Sequence, residues 1–181
     1  MKTRRTFLKT SAFGISSATL VPFTDLLAKG STDVVVVKQP EEYETFFVRE
    51  NTPITFNISK NKDGVSSVSL LTEELVPGSV IPIHKHLHAD EFFFFHQGTG
   101  DFIVEDKTFS FKAGTTAFVP KNTWHSLKNT SHEKVIFSFG FSPAGFEDFF
   151  REIGTPKGQE FKQKSEEARN AIAKKYGMVF K

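Results

Sequence analysis

Alternation with a period of two runs through the chain from Asp33 to Phe141 and limits this stretch to a β architecture. Ile54, Phe56 and Ile58 are separated by Thr55 and Asn57, and Val68 and Leu70 alternate with Ser67 and Ser69. Phe109 and Phe111 flank Ser110, while Val135, Phe137, Phe139 and Phe141 share one face of a further run. Successive side chains of a strand point to opposite faces, so runs of this kind describe half-buried strands. Turn formers punctuate them at Asn61-Lys62-Asp63-Gly64, Pro77-Gly78, Gly98-Thr99-Gly100, Ala113-Gly114 and Asn129-Thr130-Ser131. Many short strands with no helical pattern between them predict an antiparallel sandwich or barrel. Its apolar side is built from phenylalanine: 22 Phe stand against 2 Tyr and 1 Trp in 181 residues.

The pattern changes at Ser142. Ser142 followed by Pro143 is a helix start, with an N-cap and a proline in the first turn. Phe146, Phe149, Phe150 and Ile153 then form one apolar stripe, and Gly154 can end the helix. A second helix is predicted from about Gln159 to Tyr176, with Phe161, Ala168 and Ile172 inward and Gly177 as its stop. Both stripes are expected to pack against the sheets or a partner subunit.

The residues capable of chemistry are concentrated between Gly78 and Asn129. His84 and His86 are two apart, so on a strand both imidazoles leave the same face. Glu91 follows His86 by five residues and on an unbroken strand would face the other way. A turn through Leu87-His88-Ala89-Asp90 is expected to fold the next strand back beside the first, bringing Glu91, Phe93 and Phe95 inward beside the histidines. His125, beyond a Lys121-Asn122-Thr123 turn, supplies a third imidazole. Three imidazoles and a carboxylate suit a divalent first-row metal, and Mn, Fe, Co, Ni, Cu and Zn all accept such ligands. Four protein ligands on a six-coordinate ion leave positions for water, substrate or oxygen, which distinguishes a catalytic site from a closed structural one.

These residues fall into the pattern Gly-x5-His-x-His-x4-Glu-x6-Gly, read as Gly78, His84, His86, Glu91 and Gly98. A second pattern, Gly-x5-Pro-x-Gly-x2-His-x3-Asn, is met by Gly114, Pro120, His125 and Asn129, with Asn122 in place of the inner glycine. In both, the chain resembles the cupin superfamily from about Thr52 to Phe141. The resemblance implies an all-β fold, a double-stranded β-helix or jelly-roll barrel, here followed by two C-terminal α-helices. Asparagine tolerates positive φ, so Asn122 leaves the turn intact. Ser142 to Phe150 and Lys175 to Gly177 are similar to the tail of bacterial single-domain cupins described as quercetin dioxygenase-like.

Other conspicuous residues carry ordinary expectations. His88 is expected in the turn at a pocket mouth and outside the metal shell, with His96 external and His132 in a solvated turn. Trp124 is expected to pack rather than stack on substrate. Phe93, Phe95, Phe102, Phe109, Phe111, Phe118, Phe137 and Phe139 are expected to supply core and pocket wall. No serine elbow, phosphate loop or dinucleotide fingerprint is present. Cysteine is absent, which excludes disulfides, thiolate ligands and a cysteine nucleophile.

Residues 1–28 read as an address. Arg4-Arg5-Thr6-Phe7-Leu8-Lys9 resembles a twin-arginine export motif, and a modestly apolar stretch and Ala28 follow. The stretch is shorter than the ~20 apolar residues a spanning helix needs, so no stable membrane insertion is expected after its removal. The implied destination is the bacterial periplasm or beyond. The expected organisation is a signal peptide over 1–28, the cupin barrel over 29–141 and a helical extension over 142–181. Without residues 1–28 the formal charge changes from +2 to −1, which offers nucleic acid no electrostatic footprint.

The sequence therefore predicts an exported cupin holding one divalent transition metal through His84, His86, Glu91 and His125. Loading in the cytosol before export favours Mn or Fe, which affinity alone does not, while Ni, Cu, Zn and Co fit the same donors. The first functional expectation is a dioxygenase acting on a small aromatic or enol substrate, with Glu91 as catalytic base. The alternatives are a non-catalytic small-molecule binder and a metal-assisted isomerase or decarboxylase. A homodimer is expected.

Overall fold

A computed structural model describes residues 34–181, and the export segment expected over 1–28 lies outside them. After a 3-10 turn at Pro40–Glu42 the chain forms β1 (Glu44–Arg49) and β2 (Thr52–Ile58). The Asn61-Lys62-Asp63-Gly64 turn is a single helical turn, α1 (Lys60–Asp63), closed by Gly64 at φ 74°. Eight strands follow: β3 (Leu70–Leu75), β4 (Val80–His86), β5 (Asp90–Gln97), β6 (Thr99–Val104), β7 (Lys107–Lys112), β8 (Thr116–Val119), β9 (His125–Asn129) and β10 (Val135–Ser142). The C-terminal part adds α2 (Asp148–Ile153), β11 (Thr155–Pro156), α3 (Glu166–Lys175) and β12 (Met178–Phe180).

The strands form two antiparallel sheets. One has the order β11-β1-β2-β3-β10-β5-β8 and the other β12-β4-β9-β6-β7. From β3 to β10 the chain changes sheet at every connection except β6 to β7, so neither sheet is a simple meander; this is a jelly roll. The inner faces pack Ile54, Phe56, Leu71, Phe95, Phe137 and Phe141 against Phe102, Phe111 and Leu127, all buried. Ring contacts join the sheets, with Phe95 and Phe111 stacked at 4.0 Å between centroids. Asn122 adopts φ 66°, the left-handed conformation expected where the motif usually has glycine. At Gly98, φ is 85° and a Cβ would lie 2.8 Å from the Lys134 carbonyl, so this turn excludes other residues.

Several expectations are corrected. Val68 and Leu70 do not mark the inner face of their strand; Ser69, Leu71, Glu73 and Leu75 do. Leucine stands on both faces of the strand, with Leu70 partly packed on the outer one, and this hid its parity. Phe118 points outward and is 64% exposed, and Phe109, although it shares the face of Phe111 on the edge strand β7, is 53% exposed, while the other six phenylalanines named with them are buried. The helix expected from Ser142 begins at Asp148. Ser142 is still paired to Asp90 in the sheet, its hydroxyl donates to the Ser67 carbonyl, and Gly145 at φ 131° keeps the next turn from becoming helical. The second helix begins at Glu166, where the Ser165 hydroxyl caps the Ala168 amide, rather than near Gln159. The extension is not purely helical: it contributes an edge strand to each sheet.

Asn129, the last residue of the second motif, is fully buried and serves the fold. Its amide donates to the carbonyls of Leu75 and Glu133, and its oxygen accepts from the Ser131 amide and hydroxyl. Asn129→Ala leaves these groups unpaired in the interior and is expected to cost about 2–3 kcal/mol. Urea denaturation of the two proteins measures that loss as a lower midpoint with unchanged slope.

Candidate metal centre

The site is built where the two sheets face each other. His84 and His86 lie on β4 and point inward, as their spacing requires, and His125 pairs with His84 across β9. Glu91 comes from the opposite sheet. The Leu87–Ala89 turn does not fold β5 back beside β4; it carries the chain across the barrel, where β5 pairs with β10 and β8. Glu91, Phe93 and Phe95 still face inward, but Glu91 meets the histidines from across the interior. One nitrogen or oxygen from each of His84, His86, Glu91 and His125 lies within 4.8 Å of the others, and all four side chains are buried.

The hydrogen bonds orient the rings for a cation. His84 Nδ1 donates to the Pro82 carbonyl at 2.8 Å, and His125 Nδ1 donates to the Thr123 carbonyl at 3.0 Å. Each ring then turns Nε2 toward the cluster, the arrangement by which second partners orient metal-binding histidines. His125 Nε2 sits 2.8 Å from Glu91 Oε2. In a neutral ring that nitrogen is a lone pair facing a carboxylate lone pair, so the contact needs either a proton on the ring nitrogen or a metal cation shared by the two groups. His86 Nε2 lies 3.1 Å from the same oxygen, yet neither of its buried ring nitrogens makes a hydrogen bond. A divalent ion among these atoms satisfies all three rings and the carboxylate at once.

The charge states of His84 and Glu91 suit that donor set. Burial, reinforced by the neighbouring imidazoles, lowers His84 to about 3, so its ring is neutral. Burial alone would raise Glu91, but His86 and His125 together hold it below the usual carboxylate range, ionised. Burial opposes the charge on His125 too, and its contact with Glu91 outweighs this and raises it.

The donors line a cavity of about 500 Å³. Phe93, Phe102, Phe137 and Phe139 wall it from the sheets, and Phe146, Phe149 and Phe150 do so from the α2 region. The stripe expected to pack against a sheet thus lines the cavity, with the Phe146 ring 4.2 Å from that of His86. Arg169 on α3 and Lys181 after β12 also border it. His88 is exposed and lies against Gly177, His96 is exposed and bonds Ser138, and His132 is exposed. Trp124 packs beneath Lys85, away from the cavity.

Cavity residues missed from sequence include a charged pair, Arg49 and Glu73, as well as Arg169 and Lys181. Glu73 is 3% exposed and paired with Arg49. Burial and the nearby Glu91 charge raise it, and Arg49 draws it back. Its parity with Leu71 and Leu75 was the available clue.

Comparison with known proteins fits this geometry. The cupin domain family model matches residues 71–140, which include His84, His86, Glu91 and His125. An uncharacterized protein of Methanocaldococcus jannaschii is 30% identical over 80 residues, 43% of this chain and 64% of that protein. A probable oxalate decarboxylase of Arthroderma benhamiae is 32% identical over 85 residues, 44% of this chain and 21% of that protein. The chain therefore spans less than two thirds of either relative. The solved structure of KdgF from Halomonas sp. superposes with a TM-score of 0.55 at 15% identity, covering 64% of this chain and 99% of that one. The described residues have the cupin jelly-roll fold, with a buried three-histidine, one-glutamate cluster suited to a divalent metal.

Proposed function

We propose that this chain is a metal-dependent cupin oxidoreductase of the dioxygenase kind, acting on a small aromatic or enol substrate. The observation that carries the reading is the convergence of four buried donors on the wall of a cavity lined largely by phenylalanine. His84, His86, Glu91 and His125 would hold one divalent ion, Mn or Fe in preference to Ni, Cu, Zn or Co. Such an ion supplies Lewis acidity toward a substrate oxygen and, as Mn or Fe, one-electron chemistry. The protein's own part is positioning and proton handling. The aromatic walls accept a flat substrate and exclude water, and Phe146 covers the ring of His86. Glu91, whose carboxylate reaches the cluster, would take a proton from a substrate hydroxyl bound there.

The proposal extends to placement and assembly. The Arg4-Arg5 motif supports twin-arginine export of the folded, loaded protein to the periplasm. Phe94 on β5 and Phe118 on the edge strand β8, exposed on the outer face of the larger sheet, support a homodimer. Among the described residues no helix is long and apolar enough to cross a membrane.

Oxygen uptake by the metal-loaded protein, challenged with a flavonol and catechol panel and followed beside metal analysis, tests the reading. Uptake that needs both the ion and a panel member is the expected result. A thermal shift with a panel member but no turnover would replace the enzyme by a binding module. Carbon dioxide release from oxalate, assayed beside the panel, without oxygen uptake would favour the decarboxylase reading, which the similarity to a probable oxalate decarboxylase of Arthroderma benhamiae supports.

A further inference from the structure

The strongest polar feature outside the metal centre is the Arg49–Glu73 pair. Arg49 ends β1 beside a register shift, and Glu73 enters the interior from β3, between Leu71 and Leu75. Both border the same cavity as the four donors. The Glu73 side chain is 4% exposed and that of Arg49 31%, so the carboxylate is enclosed while the guanidinium keeps an open side. Arg49 Nη2 bonds Glu73, and the buried Nε has no partner. A buried ion pair stabilises a fold no better than apolar residues of the same volume. Its presence in a wall otherwise rich in phenylalanine therefore calls for another role.

We propose that Arg49, oriented by Glu73, is a specificity-determining subsite that receives the carboxylate of an organic-acid substrate whose unsaturated body lies against the phenylalanine walls. The proposal deepens the reading above and rests on it for the end of the substrate that meets the metal centre. The flat guanidinium fork is the donor geometry that a planar carboxylate accepts from. The charge inventory agrees. Glu73 offsets Arg49, one carboxylate facing a divalent ion leaves a positive remainder, and Arg169 and Lys181 at the border outnumber Glu166. A monoanion suits such a cavity better than a neutral molecule or a cation.

Calorimetric titration with cinnamate and with its neutral amide, cinnamamide, tests the subsite. It is run on metal-loaded and on chelator-treated protein, beside metal analysis. The parent protein is expected to bind cinnamate about tenfold more tightly than cinnamamide. The double variant Arg49→Gln with Glu73→Gln, which keeps a neutral pair able to hydrogen bond, is expected to lose that preference with cinnamamide affinity unchanged. Arg49→Lys, which keeps the charge but not the fork, is expected to narrow the preference to about threefold and carries the test should the double variant fail to fold. A parent without the preference would overturn the proposal. So would a folded double variant, or Arg49→Lys in its place, that keeps the full preference, since the carboxylate would then sit elsewhere. A protein that takes up no metal yet shows the preference and its loss would sink the oxidoreductase reading and leave this subsite standing.

Discussion

Protein carrying His125→Ala will hold less than about a tenth of the metal held by the parent after dialysis, and any turnover that needs the ion will go with it. His125 is the ring in closest contact with Glu91, 2.8 Å from its carboxylate oxygen, and it is fixed by the Thr123 carbonyl behind it. Removing a group that merely orients a metal ligand lowers affinity by roughly 10–100-fold. Removing a donor outright is expected to exceed that. The substitution also leaves the Glu91 charge with one imidazole fewer in a buried site, so no neighbour restores the set. Metal analysis by mass spectrometry reads the outcome. His96→Ala is the control, since His96 is exposed and bonded to Ser138 outside the barrel, and it should retain the full metal content. Equal metal in parent and His125→Ala would mean that the ion, if one binds, is held elsewhere.

Phe95→Ala will have the opposite signature, a large loss of stability with the metal donors untouched. Phe95 has no exposed surface and stacks on Phe111 at 4.0 Å, with Phe137 at 5.7 Å and Phe102 at 6.4 Å. Truncating a buried phenylalanine costs about 3–5 kcal/mol, because a cavity remains beside neighbours that relax only in part. For a chain of this size, that lowers the melting temperature by on the order of 10 °C. Phe95 does not border the functional cavity, so metal content at low temperature should match the parent. Phe109→Ala, on an exposed ring, should change the midpoint little. A Phe95→Ala protein as stable as the parent would show that the two sheets repack freely across this contact.

The clustering of His84, His86, Glu91 and His125 was legible because spacing and two short motifs mark them. His84 and His86 share a face by spacing alone, and the turn chemistry around Asn122 needs no tertiary knowledge. The all-β class followed from alternation, and the two sheets follow from the number of half-buried strands. What escaped was the partnering of strands. The four residues between His86 and Glu91 describe a hairpin and a crossover equally well, and only the packed barrel selects the crossover. The parity of β3 was obscured by leucine on both faces, which concealed Glu73 and with it the pair to Arg49, far away in sequence. The opening of α2 was misplaced because Ser142 remains tied into the sheet, a pairing that outweighs its capping preference. The phenylalanines from Phe146 to Phe150 have a helical spacing that predicts a buried stripe, but not that the stripe encloses a cavity.

The crossover of β5 has a consequence for how the molecule breathes. Three donors ride on one sheet and the fourth on the other, so any cation they share is a rivet through the sandwich rather than an ornament on one leaf. Stripping it should loosen the seam between the leaves well before either leaf frays. Amide hydrogen exchange would then quicken first at the flanks of Glu91 and His125, while the outer ladder of β6 and β7 keeps its protection.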